Sequence, residues 1–362
     1  MRIMALDVGT GTQDALLYDD SMVIENSTKM VLPSQTTIVA HRVRAATAKG
    51  CGLFLYGETM GGGPSSAAIR AHVKSGYLAS ATPLAAKTLN DDLSRVRSWG
   101  IEIRDTSPRD DYVQIELKDV DVPALRVALR QFDVDVPTAC AVACQDHGES
   151  RGSNRIFRFE HLKNLIERGG QITDFTYFDG KVPSYLTRLR AVYRTLKKEG
   201  MKKIVLMDTG PAAIFGALFD EVTAQHADKP QVILNLGNGH TLAAMLYHRQ
   251  VVGMFEHHTA AMDAQKIDCL LSLFMDGDLS QERVFNDGGH GCYIDRTGFD
   301  EINRAQRERG FHLTVIGPQR AIMKGSRLNP HFAVPGGDMM LAGCFGLIIG
   351  SSQGGILNLK SA

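Results

Sequence analysis

The chain has 362 residues, which at roughly 150 residues per domain points to two domains. Lys plus Arg and Asp plus Glu number 40 each, so the formal charge is zero, and 44% of the residues are hydrophobic. That balance excludes a polybasic nucleic-acid or membrane-surface protein, because phosphate backbones are held by excess Lys and Arg, and it excludes long disorder. An acid, Asp7, interrupts the first apolar run where a signal peptide would continue. The charge-free stretch 339–359 has an apolar core, 339–349, short of the ~20 residues of a bilayer span, and reads as a buried helix followed by a loose tail. Six scattered cysteines without a secretion signal read as reduced thiols in a cytoplasmic protein.

In chain order, Ile3 to Asp7 reads as an apolar strand, Val8 to Thr12 as a Gly-rich turn, and Gln13 to Tyr18 as the returning strand, with a third strand over Met22 to Met30. Thr59 to Pro64 places three glycines before a helical stretch, Ala67 to Lys74. Tyr112 to Leu117 reads as a strand, Pro123 to Gln131 as a helix and Thr138 to Gln145 as a buried strand. Helical spacing returns over Phe159 to Glu167 and Tyr185 to Lys198. A strand, Lys203 to Met207, leads into a small-residue helix, Pro211 to Phe219, with Pro in its first turn. A second hairpin follows, Val232 to Tyr247, with a third strand at Gln250 to Phe255. Helices around Ala260 to Phe274 and Glu301 to Arg309, a strand at His312 to Ile316 and a helix after Asp338 complete the chain. Strands alternating with helices argue an α/β fold.

The two hairpins share a design. Each has an apolar strand ending in Asp7 or Asn235, a turn with two alternate glycines and a Thr, and a returning strand closed by Tyr; the offset is about 228 residues. A Gly- and Thr-rich turn gathers backbone N–H groups into a concavity that an anion can approach closely. An acid at the strand end can hold a metal that neutralises a polyphosphate. One such turn resembles any Asp-Gly hairpin, whereas two of matched design, one opening each half, argue a clamp.

These residues resemble the actin, heat-shock ATPase and sugar-kinase superfamily of two-domain ATPases. Asp7-Val8-Gly9-Thr10-Gly11-Thr12 resembles its first phosphate motif, and Asn235-Leu236-Gly237-Asn238-Gly239-His240-Thr241 its second. Pro211 to Ala217 is similar to the helix crossing between domains, Val315 to Arg320 to the adenosine motif, and Gly337 to Gly350 to the closing helix. The resemblance implies two RNase H-like α/β domains, 1–215 with an inserted segment of about 36–135 and 216–362, with ATP and Mg²⁺ in the cleft between them. It implies that Asp7 coordinates Mg²⁺ through water, that Gly9 to Thr12 and Gly237 to Thr241 hold the phosphates, and that Gly317 lies against the adenosine.

Departures from the family pattern bear on turnover. Asn235 and Asn238 stand where the actin motif has acids, and an amide cannot take a proton. Asp14 stands where many members place Lys or Arg, and a carboxylate facing phosphates repels them unless a cation bridges it. Pro318 replaces a usual Gly and removes an N–H. Asp146, after the apolar run ending at Cys144, occupies the place of a catalytic base in hexokinase-like members; an Asp capping the next turn is the plainer alternative.

More narrowly, phrases such as Thr59 to Pro64, Gln145-Asp146-His147-Gly148 and Asp287-Gly288-Gly289-His290-Gly291 make the whole chain similar to a small prokaryotic family loosely labelled as related to the pyruvate formate-lyase activating enzyme. Such activators hold an iron–sulfur cluster with Cys-x3-Cys-x2-Cys. Here Cys140 and Cys144 have the first spacing, but position 147 is His. His257, His258 and the Asp287 to Cys292 cluster lack zinc-type spacing and read as structural or substrate-contacting. The Gly61–Gly63 loop, near Lys74 and Lys87 in sequence, is a flexible surface loop or an anion site. Function divides into a slow ATPase or phosphotransferase acting on a small substrate, a nucleotide-dependent switch acting on a protein partner, and a degenerate small-ligand scaffold. Nucleic acid and membrane are not expected partners, and the oligomeric state stays open.

Overall fold

Three strands open the chain, β1 (Arg2–Val8), β2 (Thr12–Asp19) and β3 (Thr28–Pro33), as an antiparallel meander in the computed structural model, which describes residues 1–150 and 152–357. After β3 the chain leaves this sheet. It builds a second, all-parallel one from β4 (Leu53–Gly57), β5 (Ala79–Ala81), β6 (Ile101–Ile103) and β7 (Val113–Leu117), in the order β6-β5-β4-β7. Helices such as Gln35–Ala48 and Gly63–Lys74 cover it, and Val39, Val43, Leu53, Leu55, Ile69 and Ile115 give it a core of its own.

The chain then returns through β8 (Ala139–Cys144), β9 (Thr176–Phe178) and β10 (Lys203–Met207), making a first sheet of order β3-β2-β1-β8-β10-β9. β8 lies parallel to both β1 and β10 at its centre. Its alternate residues face two different cores, Ala139, Ala141 and Ala143 one and Cys140, Val142 and Cys144 the other, which is why this strand reads as an unbroken apolar run.

The second half repeats the plan. β11 (Gln231–Leu236), β12 (His240–Tyr247) and β13 (Gln250–His258) form the meander, and β14 (Gly291–Ile294) extends it. β15 (His312–Ile316) and β16 (His331–Phe332) run parallel on the far side of β11, giving β14-β13-β12-β11-β15-β16. An antiparallel meander whose first strand carries the later parallel strands is the RNase H-like plan, present once in each half. The actin-like α/β fold is therefore the fold of this chain. The repeat extends to single hydrogen bonds, the first pair at the same offset of 228 and the second equivalent apart from a three-residue difference at the donor. Gly9 N–H donates to the Thr12 carbonyl at 2.9 Å and Gly237 N–H to the His240 carbonyl at 2.9 Å. Ser34 N–H donates to the Gly11 carbonyl at 3.2 Å, and Thr259 N–H to the Gly239 carbonyl at 3.1 Å.

Two small-residue helices cross where the halves meet. Thr209–Ala217 packs on β11, β12 and β15 and also touches β8, and Ala342–Gln353, the last helix, packs back on β1, β2, β8 and β10. A Cβ on Gly216 would run into the Ala342 carbonyl, and one on Gly346 into the Ala212 carbonyl, so the crossing admits only hydrogen at these points. Both helices are apolar nearly all round, as helices buried on every side must be.

Some boundaries differ from the sequence expectation. The third strand begins at Thr28 rather than Met22, because β2 ends its pairing at Leu17–Thr28, and Met22 and Val23 are left exposed in the connection. The crossing helix begins at Thr209, two residues before Pro211, because the Asp208 carboxylate caps it by accepting from Gly210 N–H at 3.0 Å. Of the expected tail, Gly354 to Leu357 leaves the helix with Leu357 buried, and residues 358–362 lie outside the described residues. Among the described residues no helix is long and apolar enough to cross a membrane.

Candidate functional site

Because β1 and β11 both carry their turns at the C-terminal end, the two hairpins meet. The Asn238 amide sits 3.1 Å from where a Cβ on Gly11 would be, and the Thr10 hydroxyl 3.4 Å from one on Gly239. A Cβ on Gly11 would press on the Asn238 side chain and one on Gly239 would just touch the Thr10 hydroxyl, so only bulkier side chains there would wedge the turns apart. A cleft of about 560 Å³ opens beside the contact, walled by both turns, by the Gly61–Gly63 loop of the inserted unit and by the chain after β8.

Of the residues singled out in the sequence, Gly9, Thr10, Gly237, Asn238, Gly239 and His240 line this cleft, as do Asn235 and Asp146. The others stand back from the wall. Gly11 lies under Asn238; the Thr12 carbonyl closes the first turn; Thr241 is fully buried with its hydroxyl 3.1 Å from that of Thr259. Gly317, in a left-handed conformation (φ +98°), packs on the Leu236 carbonyl and the Asn235 side chain, and its N–H faces the Met339 sulfur.

Asp7 lies behind the first turn, where it accepts the Thr209 hydroxyl at 2.5 Å. Asp14 stands directly opposite it on β2, and its Oδ1 has no hydrogen-bond partner among the described residues. Burial pushes the Asp7 carboxyl up to about 7 and the Asp14 carboxyl up to about 8, the latter helped by the charge of Asp7. Asp146 is buried with both oxygens engaged: Gly148 N–H donates to Oδ1 and Leu189 N–H to Oδ2, each at 2.9 Å. Burial raises its pKa, against the pull of these two N–H groups.

The cleft floor is an ionic frame that the sequence reading missed. Arg158 donates to Glu256 at 2.8 Å through Nε, and to both Asp208 oxygens at 2.6 and 2.9 Å through its terminal nitrogens. It also reaches the Asp146 carbonyl at 3.1 Å, and Gln145 Nε2 donates to Glu256 at 3.0 Å. Glu256 belongs to the second half and the rest to the first, so the frame ties the halves together. Although burial alone would raise both carboxyls, Arg158 holds Asp208 below and Glu256 well below the usual carboxylate range. The available signal was position. Arg158 precedes Leu162 and Leu165 at helical spacing, so a charge sits on an apolar face of the helix Asn154–Glu167. A second guanidinium, Arg188, holds Asp119 at 2.7 and 2.8 Å, and Asp119 in turn accepts Gly61 N–H at 3.0 Å, fixing the glycine loop.

Lys87 lines the cleft and pairs with Glu149 at 2.8 Å, while Lys74 is exposed at the far end of its helix. The acid/His/Cys cluster splits apart. Asp287 pairs with His257 and Lys266, and Cys292 is buried, its sulfur 3.3 Å from the Leu279 carbonyl and its thiol pushed up to about 12 by burial. His290 instead turns toward His147 and His240, with one ring nitrogen from each lying within 4.8 Å of the others. Burial, more than any neighbouring charge, pushes His147 down to about 3 and His240 down to about 4, so both rings are neutral.

Residues 60–322 match the sequence profile of the family described as "Putative pyruvate format-lyase activating enzyme (DUF1786)", and the chain belongs to that family. No curated protein matches it. Among solved structures it is similar to the activator of 2-hydroxyisocaproyl-CoA dehydratase from Clostridium difficile with bound ADPNP, at 12% identity, TM-score 0.32 and full coverage of both chains. It is similar also to MreB5 of Spiroplasma citri bound to ADP, at 12% identity and TM-score 0.35, over 100% of this chain and 99% of that one.

Proposed function

We propose that this member of the family binds ATP with Mg²⁺ in the cleft between its halves and turns it over slowly, as an ATPase or as a phosphotransferase to a small acceptor. One observation carries the reading: two turns of equal design, closed by the same hydrogen bond at the same offset, are brought into contact on one cleft. Thr10 from one side and Asn238 to His240 from the other would offer N–H groups and a hydroxyl to the phosphates, while Gly9 and Gly237, whose N–H groups close the turns, leave room for close approach. Gly11, Thr12 and Thr241 shape the turns, and Gly317, beyond the second turn, is assigned to the adenosine.

The donor set fits a divalent cation. Asp7 and Asp14 face each other across β1 and β2, and Asp14 keeps a buried, unpartnered oxygen. Asp7 and Asp14 would hold Mg²⁺, Asp7 through water; when bound, it neutralises phosphate charge. This cation also removes the repulsion that Asp14 would otherwise present to the phosphates. Asp146 is the assigned base, its carboxylate fixed at the wall by two N–H donors.

A specific feature favours a second reading, a non-hydrolytic switch that acts on a partner. Asn235 cannot accept a proton, and both Asp146 oxygens are already occupied. Calorimetry with a non-hydrolysable ATP analogue and Mg²⁺ tests the shared premise. Gly239→Val, which would wedge the turns apart at Thr10, is expected to abolish that binding; undiminished binding refutes the clamp. Asp146→Asn then separates the two readings, since loss of turnover with affinity retained supports catalysis, whereas nucleotide binding without turnover, or a background rate the substitution leaves unchanged, supports the switch. The activating activity in the family description fits these residues poorly. Cys140 and Cys144 are fully buried in β8, where burial pushes the Cys140 thiol up to about 12 and Cys144 well above its ordinary value.

A further inference from the structure

We propose that His147, His240 and His290 form a binding site for a zinc-type transition-metal dication on the cleft floor, with an open coordination position facing the cleft. The inference does not depend on nucleotide binding, although the two sites share a wall. The three residues come from separate segments: the chain after β8, the first residue of β12 and the residue before β14. One ring nitrogen from each lies within 4.8 Å of the others. Metal–nitrogen bonds of ~2.0–2.1 Å need these atoms up to about 1.5 Å closer, which side-chain rotations supply.

Hydrogen bonding separates this cluster from most of the other packed histidines. Three other packed rings are satisfied, although His312 Nε2, in the stack with His226, also lacks a partner. His72 contacts the Thr47 hydroxyl and the Leu78 carbonyl, His161 two tyrosine hydroxyls, and His257 the Asp287 carboxylate. The rings of His147, His240 and His290 make no hydrogen bond among the described residues. His290 is only 1% exposed, yet its Nδ1 has no hydrogen-bond partner.

The surroundings suit a metal. The Glu256 carboxylate stands 3.4 Å from His290 Nδ1 and is itself fixed by Arg158 and Gln145, the place of an outer carboxylate behind a metal-bound imidazole. His290 is further anchored by its own backbone N–H, which donates to the Glu256 carbonyl at 2.8 Å. The His258 ring lies 5.0 Å from those of His240 and His290, completing an imidazole-rich wall. Three imidazole nitrogens with a position left over is the donor set of a catalytic rather than a structural zinc site, and that position would take water or an oxygen anion of a substrate. Because His147 belongs to the first half and the other two to the second, the ion would also fasten the halves.

The test is titration of chelator-stripped protein with Co²⁺ and then Zn²⁺, without nucleotide. The expected result is one equivalent of Co²⁺ with the intense visible absorption of a low-coordinate site, displaced by Zn²⁺. His147→Ala, His240→Ala and His290→Ala should each weaken binding by about 100-fold or more, while His312→Ala, in a separate stack with His226, leaves it unchanged. Circular dichroism of each variant guards against loss of fold, and His147→Ala, on a loop, is the variant least exposed to that risk. No uptake at submillimolar metal, or uptake unchanged in the three folded variants, overturns the site.

Discussion

Replacing Arg158 by Met strands two buried carboxylates at the junction of the halves. The guanidinium is 2% exposed and makes three charge-assisted bonds, one to Glu256 and two to Asp208. Without it Glu256, also 2% exposed, keeps only the Gln145 amide as a side-chain hydrogen bond. Removing one partner of a buried pair costs about 3–5 kcal/mol, most of it the desolvation of the charge left behind. The sign of the pH dependence follows. In the native protein both carboxyls are held low, so their contribution is full above the unfolded value of ~4 and is lost as pH falls through the lower folded values. In the variant burial acts unopposed and raises them, so the folded state takes up protons more readily than the unfolded one. The deficit relative to the native protein is therefore largest near neutral pH and shrinks toward ~4. Urea midpoints at two pH values, one neutral and one mildly acidic, measure it, and adding Glu256→Gln to the variant should show a coupling of about 0.5–3 kcal/mol. A cost under about 1 kcal/mol, or one equal at both pH values, would refute the idea that this cation compensates buried charge.

Three further outcomes are expected. Gly216→Ala drives a methyl into the Ala342 carbonyl and should cost about 1–3 kcal/mol or more in a thermal melt, while Gly325→Ala, with open space around it, should stay within about 0.5 kcal/mol. Asp14 is raised to about 8, so in chelator the native protein should lose stability as pH climbs from ~4 through that value; Asp14→Asn should flatten the profile, and an unchanged profile would place the proton elsewhere. In native protein a thiol reagent should label Cys269, and Cys51 more slowly, with Cys140, Cys144, Cys292 and Cys344 silent until denaturation; rapid labelling of Cys140 or Cys144 would reopen the question of a cluster there.

The parts legible in the sequence are those encoded locally. Each phosphate-type hairpin is contiguous, so the apolar run, the alternate glycines and the closing Tyr identified both turns and the repeat between them. The buried strand Ala139–Cys144 and the strand Lys203–Met207 were equally plain, being short apolar runs between polar segments. The inserted sheet was not, because Ala79–Ala81 and Ile101–Ile103 are three residues each and carry almost no periodicity. The histidine triad escaped for a different reason. Its members lie 93 and 50 residues apart in sequence, at 147, 240 and 290; the second sheet brings His240 and His290 together, and the meeting of the halves adds His147. Spacing rules look for ligands on one hairpin or helix, and here they had nothing to find.

The last helix has a consequence for biogenesis. Ala342–Gln353 lies against β1, β2, β8 and β10, strands that leave the ribosome long before it does. The opening half therefore waits, one apolar face uncovered, until synthesis is almost finished, and it cannot complete itself as an independent early folding unit. Clipping the chain just before Ala342 would unroof the part of the molecule made first, and fragment 1–215 expressed alone would aggregate through that bare face.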